Sequence, residues 1–270
     1  GYLLGPRINA GGRVGKSSHG ANLLLNNNPK DVFRLASELD QFNTERKTLE
    51  NHVIDKIYKE IKINHNDPVI IISGKNLHEG VIGIAAARIK DKFNKPVIII
   101  SLDNKIGKAS ARSVVGFDIG SIIIAATQKK ILLKGGGHKM AGGFTIKQEN
   151  IGKFKEFVFK KFEMLNLETI IKSPLYLDSV IASTALNIEF YKKINMLAPF
   201  GSGNPEPKFM IENLKSVNSK IIKDKHIKSV LLSQNGSTFK SIAFNSIDSE
   251  IGAYLLKNDN KLFNIAVNYH

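Results

Sequence analysis

The sequence predicts an α/β domain entered through a long helix and followed by a small β-rich barrel. Three patterns carry that expectation: apolar residues at helical spacing from Val32 to Ile61, alternating strand and helix signals from Val69 to Leu165, and short β-rich runs from Lys208 to Tyr269. At 270 residues the chain is long enough for two ordinary domains, each with its own core. A content of 42% hydrophobic and 23% charged residues marks it as globular rather than disordered.

Taken in order, Gly1 to Asn28 holds too little apolar material for a core and reads as the tail of a larger unit. Asn28-Pro29 is a helix start, a cap followed by a first-turn proline, and Asn64 to Pro68 ends the helix because a residue before proline disfavours the α region. A strand at Val69 to Ile72 and a helix at Val81 to Lys92 follow. Strands at Val97 to Ser101 and Lys105 to Ala111 come next, then a helix at Ile119 to Lys130 that leads into a glycine loop. A strand at Gly143 to Ile146 and an amphipathic helix at Ile151 to Leu165 close the domain. From Pro174 the character changes. After a helix at Thr184 to Met196 come β runs at Lys208 to Val217, Ile227 to Leu232, Phe239 to Phe244 and Leu262 to Tyr269, a spacing that suits a barrel or sandwich.

Composition narrows the partners. The chain carries 39 Lys and Arg against 24 Asp and Glu, a formal charge of +15, and a surplus of that size attracts polyanions, nucleic acid first among them. There is no cysteine, which removes disulfides, thiol catalysis and Cys-ligated metals, and is compatible with a reducing cytoplasm. No apolar run approaches the roughly 18 residues of a membrane span, so a soluble protein without a membrane partner is expected.

Four stretches carry candidate chemistry. KGGGHKMAGGFT, from Lys134 to Thr145, sets three glycines ahead of His138, so that the amides of Gly136 and Gly137 can face an anion. GKASARS places Ser110 and Arg112 at alternate positions of a strand, where hydroxyl and guanidinium share a face and can grip one phosphate. PRINAGGR puts Arg7 and Arg13 around Asn9 and a glycine pair, two bidentate donors on a tight backbone. HEGVIGIAAAR sets His78 at the start of an apolar helix whose free amides favour an anion. In the last region His226, Lys228 and Lys240 can line a basic groove, and Phe200 in PFGSGNPEP can stack on a base. Each of these residues, taken alone, is equally an ordinary turn, cap or solvated side chain. D-x-D, H-x-H and H-E-x-x-H spacings are absent, so no metal site and no catalytic residue is expected from this chain alone.

In sequence order, GPRINAGGR, HEGVIGIAAARI, GKASARS, GGGHKMAGGFTI and LAPFGSGNPEP resemble the RecJ family of single-strand-specific 5′ to 3′ DNA exonucleases, within the wider DHH/DHHA1 phosphoesterase superfamily. The resemblance covers essentially the whole chain. It implies the tail of a DHH domain at 1–28, a connecting helix at 29–66, a DHHA1 domain at 67–172 and an OB-like nucleic-acid-binding domain at 173–270. By the same resemblance Ser110 and Arg112 bind a terminal phosphate, and His138 closes the site with the Gly136 and Gly137 amides. Arg7 and Arg13 support it from the DHH side, with Asn9 and His78 beside them, and Lys228 belongs to the strand-holding OB surface.

The family's Mn²⁺ or Mg²⁺ is held by DHH-domain motifs that do not occur here, so the resemblance implies a substrate-binding part of the enzyme. Hydrolysis is then expected from a missing DHH lobe, carried if need be on a separate chain. Single-stranded DNA is the implied partner, in DNA repair and recombination. The alternatives are a phosphodiesterase of short oligonucleotides or cyclic dinucleotides, and a non-catalytic single-strand-binding module. Two positions depart from the family pattern: Leu77-His78-Glu79, and Lys139 after the glycines.

Overall fold

A computed structural model describes residues 3–60, 64, 66–165, 175–201, 203–257 and 261–268. The chain forms two compact units, Gly1–Ser173 and Pro174–His270. The expected boundary at residues 172 and 173, the helix end at Ile61 and the strand end at Tyr269 lie outside the described residues.

Unit 1 opens with two helices where the sequence suggests a coreless tail. The helices α1 (Leu4–Val14) and α2 (Ser18–Leu25) pack on α3 (Pro29–Glu60). PRINAGGR is therefore helical and not a tight turn. Pro6 falls in the first turn, where the missing N–H would be unpaired anyway, and Ala10 and Gly11 are buried, with Leu39 of α3 close beside Gly11. The 32 residues of α3 extend ~48 Å at 1.5 Å per residue. Leu35 and Leu39 are buried in its first half, Val53 and Ile57 in its second.

Ion pairs fix what α3 carries. Arg7 Nε meets Asp40 at 2.6 Å, tying α1 to the middle of α3. Further along, the buried Glu50 carboxylate takes Arg46 Nη1 at 2.8 Å and Arg88 Nε at 2.6 Å, Arg88 lying on α4 (Glu79–Phe93).

The sheet of unit 1 comprises β1 (Ile70–Lys75), β2 (Val97–Asp103), β3 (Ile106–Arg112), β4 (Lys134–His138) and β5 (Ala141–Lys147), in the order β1-β2-β3-β5-β4. Only β1 and β2 run parallel, with α4 as their crossover. Asn94 ends α4 in the left-handed region at φ 48°, just before Pro96 stops any continuation. Val97 and Ile99 face α4, whereas Ile98 and Ile100 join the core under α5 (Ile119–Gln128) and α6 (Ile151–Glu163). Both faces of β2 are thus covered, which is why its sequence is an unbroken apolar run.

In unit 2, β7 (Phe209–Ile222), β8 (His226–Ser233), β9 (Thr238–Ala243) and β10 (Phe263–Val267) form a sheet in the order β10-β7-β8-β9, and β6 (Ser179–Val180) adds parallel to β7. Fourteen residues long and bulged between Ser216 and Asn218, β7 serves β6 and β10 with its first half and β8 with its second. Two helices complete the unit, α7 (Ile188–Asn195) and α8 (Glu250–Lys257). The eight-residue α8 has no counterpart in the sequence expectation, because it offers only two turns of periodicity. Its Leu255 joins Ile211, Leu214, Ile227 and Leu231 in the buried core.

The α5 cap supplies a stability test. Asp118 accepts from Ser121 N at 3.0 Å, and that backbone bond holds its carboxyl below the usual carboxylate range. A depressed folded-state value gives stability that is present above the unfolded pKa near ~3.9 and lost as pH falls through the folded value. Asp118→Ala should cost about 1 kcal/mol in urea unfolding at neutral pH. The gap to the unmodified chain should close as the pH falls below the unfolded value and through the depressed folded one.

Candidate anion-binding site

Strand registers place the candidate residues on one face of the sheet. Along β3, Gly107, Ala109 and Ala111 are buried, while Lys108, Ser110 and Arg112 point to the side on which α4 lies. Across the ladder Arg112 is level with Ala141 and His138, Ser110 with Gly143 and Gly136, and Lys108 with Thr145 and Lys134. These residues form three rows across three strands, spaced at ~4.8 Å per strand. The middle row carries no side chain beyond Ser110. An added methyl at Gly136 would meet nothing within 4 Å, and one at Gly143 only the Ala109 carbonyl at 3.4 Å. Bare backbone therefore forms a floor, and Arg112 and His138 stand in the row beside it, at its β3 and β4 ends.

The same glycines explain why GGGH is a strand and not the expected loop. On the opposite face, methyls at Gly135 and Gly142 would strike Ile123 of α5 at 2.7 and 2.5 Å. One on Gly120 of α5 would lie 2.9 Å from the Gly137–His138 backbone. Side chains there would push α5 off the sheet; glycine lets helix and strand backbones touch. Ser113 N–H donates to Met140 O at 2.8 Å, so alternation along β5 turns Gly142 and Phe144 to β3, and Ala141, Gly143 and Thr145 to β4. By register the Gly136 amide is committed to Gly143, and the Gly137 amide faces the open edge of the sheet. Of the two amides expected to meet an anion, one is spent within the ladder.

Above the floor, α4 begins. His78 caps it, its Nδ1 accepting from Gly80 N at 3.1 Å, which leaves Nε2 to carry the proton of the neutral ring. This is the reverse of a donor role for Nδ1. Glu79 is taken by Lys108 at 2.7 Å, a contact that raises the lysine's pKa. A methyl on Gly83 would sit 2.9 Å from Ser110 Oγ and 3.0 Å from Arg112 Nη2, so α4 presses directly on this pair. At Gly80 the Arg13 carbonyl comes so near that an added Cβ would be 2.0 Å away, which brings the end of α1 to the start of α4.

Arg112 is the electrostatic centre. Half-buried, its Nη1 donates to Ala111 O at 2.8 Å and Ser110 Oγ at 3.2 Å, and no carboxylate pairs with it among the described residues. Burial, and then the positive charge of Arg13, lower its pKa. The charge of Arg13, on α1, thus lies near enough to act on a partly desolvated Arg112 that has no carboxylate partner among the described residues. Asn9 lies one helical turn before Arg13 on the same exposed face of α1. Arg7 points elsewhere, to Asp40 and the Leu3 carbonyl.

Among the described residues no three His, Asp or Glu side chains converge. The donor set therefore does not fit a Mn²⁺ or Mg²⁺ ion. No helix among them is long and apolar enough to cross a membrane.

In unit 2, Lys228 lies on the outer face of its sheet, level with Lys220 and Ile242. Its neighbour His226 accepts from Asn245 N at 2.9 Å and meets the exposed Phe244 edge-on at 5.4 Å. Asn218, Val230 and Lys240 form the next row. Basic and apolar side chains thus interleave on one face. Phe244 is its exposed ring, a residue that the sequence marks only as the end of a strand. Phe200 is half-buried beside the turn that Asn204 closes by donating to Leu197 O and Pro199 O.

Comparison with known proteins gives two domain matches: a DHHA1 domain at residues 66–164 and a RecJ OB domain at 177–269. The single-stranded-DNA-specific exonuclease RecJ of Haemophilus influenzae is 31% identical over 261 residues, which is 91% of this chain and 44% of that protein. The protein of the same name from Bacillus subtilis is 29% identical over 257 residues, 93% of this chain and 32% of that protein. The crystal structure of RecJ with Mg²⁺ from Thermus thermophilus shares the fold at a TM-score of 0.71 and 23% identity, over 90% of this chain and 42% of that one. The chain spans less than half the length of these relatives.

Two glycine substitutions separate packing from binding at this site. Gly120→Ala, whose methyl would meet the β4 backbone, should lower the melting temperature by several degrees. Gly136→Ala, with open space above it, should leave melting nearly unchanged while raising a methyl from the floor.

Proposed function

A DHHA1 domain followed by a RecJ OB domain makes this chain a member of the RecJ family, and we propose that it supplies the DNA-gripping part of a single-strand-specific 5′ to 3′ exonuclease, working in the cytoplasm in DNA repair and recombination. The observation that carries the proposal is the Arg112–Arg13 juxtaposition. A half-buried guanidinium next to a second cation, with Ser110 beside it, is an arrangement that a phosphate neutralises.

A 5′-terminal phosphate would rest between Ser110, Arg112 and Arg13. The first nucleotide would lie along the Gly136–Gly143 floor toward His138. The flatness of the floor suits a sugar–phosphate backbone, and His78 Nε2 and the outward Gly137 amide are further donors at its margins. Asn9 and Arg7 would act from α1, Arg7 chiefly by holding that helix in place. Downstream strand would lie on the outer face of the OB sheet, where Lys220, Lys228 and Lys240 supply charge and Phe244 a stacking surface. Phosphodiester hydrolysis belongs, on this reading, to a DHH lobe bearing Mn²⁺ or Mg²⁺, in the same polypeptide or on a separate chain. A phosphodiesterase of short oligonucleotides or cyclic dinucleotides would have no use for the OB unit.

The test compares 5′-phosphorylated and 5′-hydroxyl oligo(dT) by fluorescence anisotropy. The unmodified chain should prefer the phosphorylated strand. Arg112→Ala should lose about tenfold or more of that preference, the worth of a charge-assisted contact. Equal affinities of mutant and unmodified chain for both strands would overturn the assignment. Gly136→Ala should weaken both strands without abolishing the preference. Lys228→Ala should instead leave the preference intact and flatten the dependence of log K on log salt by roughly 0.7.

A further inference from the structure

An acid reaches the three-row face of unit 1 from outside it. The rows across β3, β5 and β4 contain no Asp or Glu. The carboxylate belongs to Glu79, in the first turn of α4, and Lys108 Nζ donates to it at 2.7 Å.

Two regular spacings bring this pair together. Glu79 and Gly83 are one helical turn apart and share a face of α4. Gly83 is the residue pressed against the phosphate-gripping pair, since a methyl there would lie 2.9 Å from Ser110 Oγ and 3.0 Å from Arg112 Nη2. Along β3, Lys108 comes two residues before Ser110, on the same face and ~7 Å away. A turn of helix, ~5.4 Å, is thus matched by one two-residue step of strand. It sets Glu79 over Lys108, where the line Arg112–Ser110–Lys108 would otherwise continue as free positive charge. The carboxylate is the main cause of the raised Lys108 pKa, with Asp103 acting in the same direction from further off.

We propose that Glu79 is a specificity-determining residue: by holding Lys108 it limits the site to a single terminal phosphate and disfavours 5′-polyphosphate ends. The inference rests on the reading of Ser110, Arg112 and Arg13 as the seat of a 5′ phosphate. A polyphosphate anchored at Ser110 and Arg112 and extending one strand step along β3 would find Lys108 already paired. Free of Glu79, the same lysine would turn a two-point grip into a three-point track for chained phosphoryl groups. A first-turn acid also suits the helix dipole, and that role alone would leave discrimination between phosphate ends untouched. Both partners are exposed, Lys108 by 62% and Glu79 by 45% of the side chain, so the pair contributes little to stability and its effect falls on what binds.

The test measures binding of the full chain to 3′-labelled oligo(dT) with a 5′-hydroxyl, a 5′-monophosphate or a 5′-triphosphate. The unmodified chain should bind the triphosphate end no more tightly than the monophosphate. Glu79→Gln, which keeps the shape and removes the charge, should raise the triphosphate-to-monophosphate affinity ratio about fivefold, the upper range of an exposed charge pair. Adding Lys108→Ala to that variant should return the ratio to its starting value. Tighter triphosphate binding by the unmodified chain, a ratio unmoved by Glu79→Gln, or a gain that persists without Lys108 would each overturn the proposal and leave the 5′-phosphate site standing. No preference of the unmodified chain for monophosphate over hydroxyl would overturn both.

Discussion

The candidate site depends on the contact of backbone with backbone between α5 and the β4–β5 ladder. Helices ordinarily stand off a sheet by the length of two side chains, and here glycines at 120, 135, 137 and 142 remove that spacing. The consequence appears on the other face. Alternating with these positions along the two strands are Gly136 and Gly143, whose lack of side chains leaves the exposed surface flat. A single stretch of sequence thus seats a helix on one side and clears a floor on the other. Gly in a strand costs backbone entropy, and that cost is offset by the apolar burial of Ile123 of α5 and Phe144 of β5 between helix and sheet.

Against this floor the arginines have contrasting fates. Arg7 and Arg88 pair with carboxylates of α3 and hold helices together, and Arg46 pairs with Glu50 within α3. Arg112 has no such partner among the described residues, and the nearby Arg13 adds repulsion. A partly buried cation without a counter-charge is unfavourable in isolation, so the fold holds there an interaction that an anion would complete. The OB surface works differently. Its lysines are exposed or partly so and spread over several strands, a pattern that gives diffuse, salt-sensitive attraction and not a discrete pocket.

Periodicity makes most of the fold legible. The apolar run of β2, the helix over α4 and the alternation in GKASARS all follow from local pattern, and the period of two by itself sets Ser110 and Arg112 on one face. What stays hidden depends on partners distant in sequence. Proline and glycines make PRINAGGR look like a turn, yet α3 supplies the surface that makes it a helix. Likewise three glycines argue against a strand on propensity alone, and only α5 explains them. His138 reaches the row of Arg112 through β5, a register that no local signal encodes.

The long helix α3 is what turns these local arrangements into a geometry. It contacts α1 through Arg7–Asp40 and α4 through Glu50–Arg88, ten residues apart along its length. Because α1 carries Arg13 and α4 lies over Ser110 and Arg112, the spacing between the two guanidinium groups is fixed by one rigid element and not by the loops between them. Glu50 is buried and shared between two arginines, so neutralising it would leave Arg46, itself mostly buried, uncompensated. Breaking a pair of that kind is far more costly than losing an exposed one such as Arg34–Glu38. The candidate anion site is therefore held in place by a charge cluster that touches neither Ser110 nor Arg112.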